Sequence, residues 1–514
     1  MEYKVALLAL TNRLAWFINS ELPPIRTTIM RKNSNDLGWI SDLRTLRKEA
    51  PALLPLARDN PAIIIVTPSN SSYSCIRKEY NEHNRAKEPL AIILPRNNQD
   101  LKTAVKFCTS RDVQLPLTIR GGGHDPYGRT IAPTAVQLDL RLLKWIEVFD
   151  LKDSLILNQK GVALGPGLTA MEVQRELDGV NLNVATGWVG SVGMIGWSCG
   201  GGYGLSSGLW GLGVDNILGA KVMQASGEII DTQNDEDLLW AMRGTGQGNF
   251  GIVIELRIKA HTKPRYLAGF QGLADRGMPD NFGGELTINT TDDLGPTINI
   301  FFTWICRDSS DESLKNGERF KHEFIKNLQV APSVDTVAET SILAFHTTLS
   351  DGIDESQHGY WEMASVALPR LTPEVIDVVM RAPAPAGGRS AILVHYAHGQ
   401  ATRDDTITSW NHRRQHYIFS PCAIAPLDAS VEEMQATKQW TRTIHDGLLK
   451  TGQTLLKGYW SMSRPEDCDA NRFYGQETVK RLAMLKRKLD PSNAFPCGLP
   501  RLDREMKATE RAYL

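Results

Sequence analysis

The sequence lacks most features that would set it apart from ordinary globular enzymes. Its seven cysteines (Cys75, Cys108, Cys199, Cys306, Cys422, Cys468 and Cys497) are odd in number, scattered, and without a CxxC pair. That argues against a disulfide framework or a zinc ribbon. Charge of one sign is also missing: 57 Lys and Arg face 58 Asp and Glu, a net charge of -1. Nothing in that balance points to nucleic acid or an anionic membrane. No apolar run approaches a membrane span. The run from Val5 to Leu10 is broken by Asn12 and Arg13, too short for a secretory core. A cytoplasmic protein is therefore expected. Nucleophile elbows, Walker loops, internal repeats and low-complexity linkers are absent as well. What remains is a chain of 514 residues, 42% apolar and 22% charged. That is enough for two or three domains with large cores.

Along the chain, residues 1–60 read as an irregular helical segment without recognisable chemistry. From residue 61 the texture becomes mixed. Ile63 to Val66, Ala91 to Leu94 and Leu115 to Ile119 read as strands, and Asn98 to Ser110 has a helical period. Val136 to Leu140 and Leu155 to Leu157 look extended, and Thr169 to Leu177 looks helical. Leu218 to Met223 and Glu228 to Asp231 read as a hairpin turning at Ser226-Gly227. Past residue 262 the glycine clusters stop. Extended stretches such as Thr297 to Ile305 and Ser390 to Tyr396 then alternate with helices such as Pro373 to Met380 and Val431 to Leu448. That texture suits an α+β domain over 263–455. The segment 456–514 ends in a helix and an Asp-Pro-Ser-Asn turn.

Three glycine-rich passages carry the chemistry. In Leu117-Thr118-Ile119-Arg120-Gly121-Gly122-Gly123-His124, a strand runs straight into three glycines and a histidine. Consecutive amides without side chains can close around a phosphate oxygen; the bland alternative is a tight turn with an exposed histidine. The second passage, Gly193 to Gly204, is so dense in glycine that a close approach of backbone to ligand would justify its entropic cost, although a packing turn would look the same. The third, Asp237 to Val253, contains a literal GxGxxG from Gly246 to Gly251. A helix precedes these glycines and a strand follows, the reverse of a dinucleotide fingerprint, so a nicotinamide site is rejected.

Together, in this order, the passages resemble the berberine-bridge-enzyme-like FAD-linked oxidases. That family's pattern is Arg-x-Gly-Gly-His, Val-Gly-x-x-Gly with Gly-Gly-Gly-Tyr-Gly, and Asp-Leu-x-Trp-Ala-x-Arg-Gly with Asn-Phe-Gly-Ile-Val. Phe473-Tyr474-Gly475-Gln476-Glu477 and Asp490-Pro491-Ser492-Asn493-Ala494-Phe495 resemble its C-terminal motifs. The resemblance spans about residues 62 to 500. It implies an α+β fold: a two-lobed PCMH-type (vanillyl-alcohol-oxidase-type) FAD-binding domain at 61–262, completed by 456–514. A substrate domain, an antiparallel sheet covered by helices, would be inserted between them at 263–455.

The resemblance also implies the site. His124 would tether the flavin covalently, and Arg120, Gly121, Gly122 and Gly123 would hold the pyrophosphate. Gly187, Ser191, Val192, Gly193 and Trp197 would line the flavin, and Val253 would lie near the adenine. Where relatives carry a second, cysteinyl tether this chain has Val189, so a single tether is expected, with Cys199 left to packing. Trp197 stands where histidine is frequent, and Val192 is a size that admits oxygen. Glu477 replaces the usual asparagine; it either brings a carboxylate near the substrate or marks a surface change. Tyr459 falls where relatives place residues that face the flavin. It is either a catalytic base or a packing aromatic.

No metal is expected. His395 and His398 would point to opposite faces of a strand. His412 and His416 have a zinc-compatible helical spacing but no evident third ligand. The implied reaction is hydride removal from a small organic molecule, with O2 as the second substrate giving H2O2, within secondary metabolism. A non-redox isomerase or cyclase on the same FAD scaffold, and a non-catalytic binding protein, remain the alternatives.

Overall fold

The computed structural model describes residues 26–31, 39–151, 159–263, 266–270, 278–291, 295–306, 310–328, 335–353, 359–382, 389–455 and 458–502. The stretches Val5–Leu10 and Leu155–Leu157 lie outside them. Ala91–Leu94 is apolar at every position because it is buried on both faces, the condition that favours parallel pairing. It lies in a four-stranded sheet ordered Ile64–Val66, Ala91–Leu94, Val136–Asp139, Leu117–Arg120. The last three strands are parallel and the first is antiparallel. Helix Asn98–Cys108 starts at Asn97, whose side chain accepts from the Asp100 amide. It presses Leu101, Ala104, Val105 and Cys108 into the core beneath this sheet.

A second, seven-stranded sheet is centred on Ile252–Thr262, which pairs with Lys160–Leu164 on one side and Ile217–Met223 on the other. Ile217–Met223 and Ile229–Asp231 form the expected hairpin. The reading of residues 1–60 as helical needs correction. Among the described residues of that segment, Arg26–Arg31 is an edge strand antiparallel to Trp145–Asp150 and the first helix is Leu43–Glu49. An edge strand is fixed by the partner it meets, which the local sequence does not contain. The two sheets share one core: Met223, Ile252 and Ile254 of the second pack with Ile93, Leu117 and Leu138 of the first. Phe495 joins them from the C-terminal segment, and Leu117 N–H donates to Ala494 O at 2.8 Å.

The third sheet, eight-stranded and antiparallel, is built from chain between these parts. Its order is Ala338–Thr340, Tyr266–Phe270, Gly295–Ile305, Phe282–Thr291, Arg389–Ala397, His416–Ala425, Tyr360–Met363, with Val366–Leu368 also on His416–Ala425. Helices Pro373–Met380 and Val431–Lys450 cover one face, meeting Ile392, Val394, Tyr417 and Phe419 through Val375, Val379, Ile444 and Leu448. Among the described residues no helix is long and apolar enough to cross a membrane.

Candidate functional site: a cavity between two glycine loops

Strand Leu117–Arg120 ends at the mouth of a cavity, and the glycine loop that follows forms its floor. Gly121 to His124 line it, and the N–H groups of these four residues meet no acceptor among the described residues. Gly123 has φ +70, where a side chain would be strained. The second glycine loop crosses the first almost in contact: a Cβ on Gly193 would lie 2.5 Å from the Gly122 nitrogen. The Thr118 hydroxyl is buried in the wall and meets no partner among the described residues. Open amides, an unpartnered hydroxyl and a cradle that any Cβ would fill fit an elongated phosphate-bearing cofactor.

The Arg120 side chain turns away from this space. It donates to Ile76 O at 2.7 Å and to Lys78 O, and pairs with the fully buried Asp139 at 3.2 Å. Its part is to fix the strand end so that the loop amides face the cavity. His124 stands at the far end, with its ring stacked on Tyr80. Burial, with a smaller contribution from the Arg120 charge, pushes the imidazole down to about 4, so it is neutral and nucleophilic at neutral pH. Beyond it, Arg129 binds Asp125 at 2.9 Å and the carbonyls of Trp460 and Ser461 at 3.2 and 3.0 Å. That arginine brings Tyr459 and Met462 to the cavity wall.

Of the residues singled out in the sequence, Arg120, Gly121, Gly122, Gly123, His124, Val192, Gly193, Trp197, Val253 and Tyr459 line this one cavity. Val189, at the position of the second tether, lines it as well. Gly187 and Ser191 do not reach the wall and stand one layer behind. A Cβ on Gly187 would meet Trp197 Nε1 at 2.9 Å, and the Ser191 carbonyl backs Gly122. Trp197 Nε1 donates to Tyr203 O at 2.9 Å. Cys199 is buried in the core, its thiol pushed up to about 12.

Two expectations fail. Glu477 does not approach the cavity: it opens helix Gln476–Leu489, its side chain is 87% exposed, and it pairs with Lys480 at 2.8 Å. The turn at Gly475 (φ +83) sends this residue outward, a geometry that the motif does not encode. Tyr459 is buried, and burial raises its phenol despite hydrogen bonds from the Gly202 and Tyr203 amides and Ser461, so it rests protonated rather than as a base. His412 and His416 are not on a helix. Strand His416–Ala425 begins at His416, whose Nε2 meets the Tyr203 hydroxyl at 2.9 Å.

Tyr80 and Met363, which also line the cavity, escaped the sequence reading. Neither sits in a motif; each arrives from a segment remote from the glycine loops.

The family model for an FAD binding domain matches residues 89–233. The chain is 30% identical over 468 residues to the FAD-linked oxidoreductase aurO of Gibberella zeae, covering 86% of each protein. It is 33% identical over 223 residues to berberine bridge enzyme-like 12 of Arabidopsis thaliana, 42% of this chain and 40% of that one. The crystal structure of 6-hydroxy-D-nicotine oxidase from Arthrobacter nicotinovorans superposes with a TM-score of 0.71, covering 85% of this chain and 97% of that one. At 21% identity, that superposition speaks for the shared fold.

Proposed function

Because the chain belongs to the berberine-bridge-enzyme-like FAD-linked oxidoreductases, we propose that it is an oxidase of a small organic metabolite whose FAD is held by a single covalent bond to His124. The observation that carries this reading is the meeting of His124 with four open loop amides in one cavity. Residues 61–262 and 456–514 would form the FAD-binding part and residues 263–455 the substrate-binding part. When bound, FAD supplies a two-electron acceptor for a substrate carbon.

The chain supplies the rest. The Gly121–His124 amides and the Thr118 hydroxyl hold phosphate oxygens. Val253 borders the adenine end. Val192, Gly193 and Trp197, backed by Gly187 and Ser191, border the ring system. The neutral imidazole of His124 provides the nucleophilic nitrogen for the tether. Val189 has no thiol, so no second bond forms there. Val192 leaves room for O2, which would regenerate the oxidised cofactor and yield H2O2. Tyr459 orients substrate as a hydrogen-bonding phenol. A place in secondary metabolism rests on the family resemblance alone. The non-redox alternative, whose acid would be Glu477 or a histidine, keeps only the histidine, since Glu477 faces solvent.

The test is acid denaturation followed by filtration, with His124→Ala beside the wild type. Yellow colour retained by the wild-type chain and released by the variant, with peroxide formed during turnover, is the expected result. Colour passing the filter from both proteins refutes the tether, and a colourless protein refutes the flavoenzyme.

A further inference from the structure

The eight-stranded sheet has two unlike faces. Leu286, Ile288, Ile392, Val394, Tyr417 and Phe419 point to its helices. Alternation therefore sends Glu285, Leu393, His395, Ile418, Ser420 and Cys422 to the other side. That side meets the cavity at Met363, while Glu285 and His395 lie behind the cavity wall and not in its lining. Ile418 packs with Tyr203, Trp410 and Tyr459. Ser420 Oγ lies 3.4 Å from Met462 Sδ, and Cys422 is the register partner of Met363; both methionines line the cavity. Trp188, next to the cavity-lining Val189, sits 6.2 Å from the His395 ring and 5.9 Å from Phe301.

On this face Glu285 and His395 are cross-strand partners, with Glu285 Oε2 3.2 Å from His395 Nε2 and each side chain 10% exposed. The protein's other buried ion pairs are multiply satisfied. Lys486 binds Asp490 and Phe495 O, and Arg413 grips both oxygens of Asp215. Glu285 has only His395 among the described residues, and no described residue bonds His395 Nδ1. A buried carboxyl so poorly satisfied costs stability in an apolar sheet. Its retention on the face toward the cavity calls for a ligand.

We propose that His395 is the catalytic base that takes the hydroxyl proton of an uncharged, largely apolar primary or secondary alcohol, with Glu285 as its positioning partner. The proposal rests on the oxidase reading above. With its proton on Nε2, 3.2 Å from Glu285 Oε2, His395 keeps the Nδ1 lone pair for the substrate. The substrate O–H bond breaks, its proton going to Nδ1. The neighbouring C–H bond breaks, its hydrogen and electron pair going to the flavin, and the C–O bond becomes double. Glu285 then releases its own proton to solvent, so the pair ends as a neutral ion pair. Burial supports this starting state, raising Glu285 to about 8 and lowering His395 to about 4. Cys422 is the titratable neighbour on the same face, with Tyr80 beyond it. No described charged side chain bears on the pair, which matches an uncharged substrate, and Trp188, Phe301 and Ile418 supply apolar walls.

The test uses the flavin-loaded protein and 4-nitrophenol, buffered below the probe's own pKa so that it is added in the neutral form. Binding should produce the phenolate absorption band in difference spectra. The band should be lost in E285Q and in H395Q, with flavin absorbance and Tm held near wild type. In anaerobic mixing with an uncharged aryl or allyl alcohol, flavin bleaching should slow at least about 100-fold in both variants, the lower bound for a general base. No spectral change, binding without the phenolate band, a band that survives in both variants, or bleaching by oligosaccharides or charged amines but by no uncharged alcohol overturns the proposal. A flavin that nothing bleaches sinks the oxidase reading, while the 4-nitrophenol spectra still decide whether the pair accepts a proton.

Discussion

The imidazole of His124 lies stacked on the phenol of Tyr80, ring centroids 4.6 Å apart and planes 29° from parallel, and the same phenol meets Trp361 at 4.6 Å on its other side. A histidine at the end of three glycines would otherwise be loosely placed. Here Tyr80, whose N–H also donates to Gly123 O at 3.4 Å, fixes it against the eight-stranded sheet. The position of His124 thus depends on both halves of the molecule.

Tyr80→Ala should therefore lower the yield of covalently bound flavin at a given time, while Tyr80→Phe should keep most of it. An aromatic pair is worth about 0.5–1.5 kcal/mol beyond burial, so the alanine variant should also melt earlier. Flavin retained after acid denaturation, followed against time, checks this. Equal yields in Tyr80→Ala and wild type would show that the stack does not position the histidine.

Gly122→Ala should abolish FAD loading. Its Cβ would press on the Gly193 backbone, with Gly193 Cα 2.9 Å away, and neither loop can yield without opening the amide cradle. Overpacking of this kind costs about 1–3 kcal/mol. The flavin-to-protein absorbance ratio and Tm are the readouts, and a fully yellow variant would contradict the crossing geometry.

Lys486→Met should destabilise the chain by about 3–5 kcal/mol, the effect of stranding a buried charge. Lys486 Nζ is 2.6 Å from Asp490 Oδ2, and Asp490 accepts from the Ala494 and Phe495 amides at 2.8 and 3.0 Å. Those bonds seat Phe495 in the core shared by the two FAD-side sheets. Denaturant unfolding checks the magnitude, and a change below about 1 kcal/mol would assign the pair no structural role.

Stability should peak between about pH 6 and 7. Burial lowers His261 to about 3 and His346, His395 and His398 to about 4. Histidines with depressed folded pKa values contribute stability above their unfolded pKa of roughly 6.5 and lose it as pH falls toward 4. Burial raises Glu79 to about 7 and Glu285 to about 8. Carboxyls shifted upward contribute below their unfolded pKa of roughly 4.3 and lose that contribution as pH rises to 8. With His124, pushed down to about 4 as well, five groups lose stability on the acid side and two on the alkaline side, so the acid limb should be the steeper. Tm measured from pH 4 to 9 checks this, and a Tm rising steadily to pH 9 would refute it.

The sequence by itself determined the FAD-side architecture and most of the cavity. Glycines at 121–123, 193, 248 and 251 stand where backbone must approach backbone or ligand, and that requirement is written in single residue identities. Short motifs therefore singled out His124, Val192, Gly193, Trp197 and Val253, and all five line one cavity. Strand and helix periods likewise revealed the hairpin at Ser226-Gly227 and the helices Pro373–Met380 and Val431–Lys450. Only the tertiary structure decided the rest. The edge strand Arg26–Arg31 exists because Trp145–Asp150 offers it hydrogen bonds from more than a hundred residues away. Glu477 sits beside a family motif, yet the turn at Gly475 sends it to solvent. Glu285 and His395 are 110 residues apart and meet through strand register, as do Tyr80 and His124 through packing. Local sequence specifies local backbone; which side chains face one another across a cavity depends on the register and packing of distant segments.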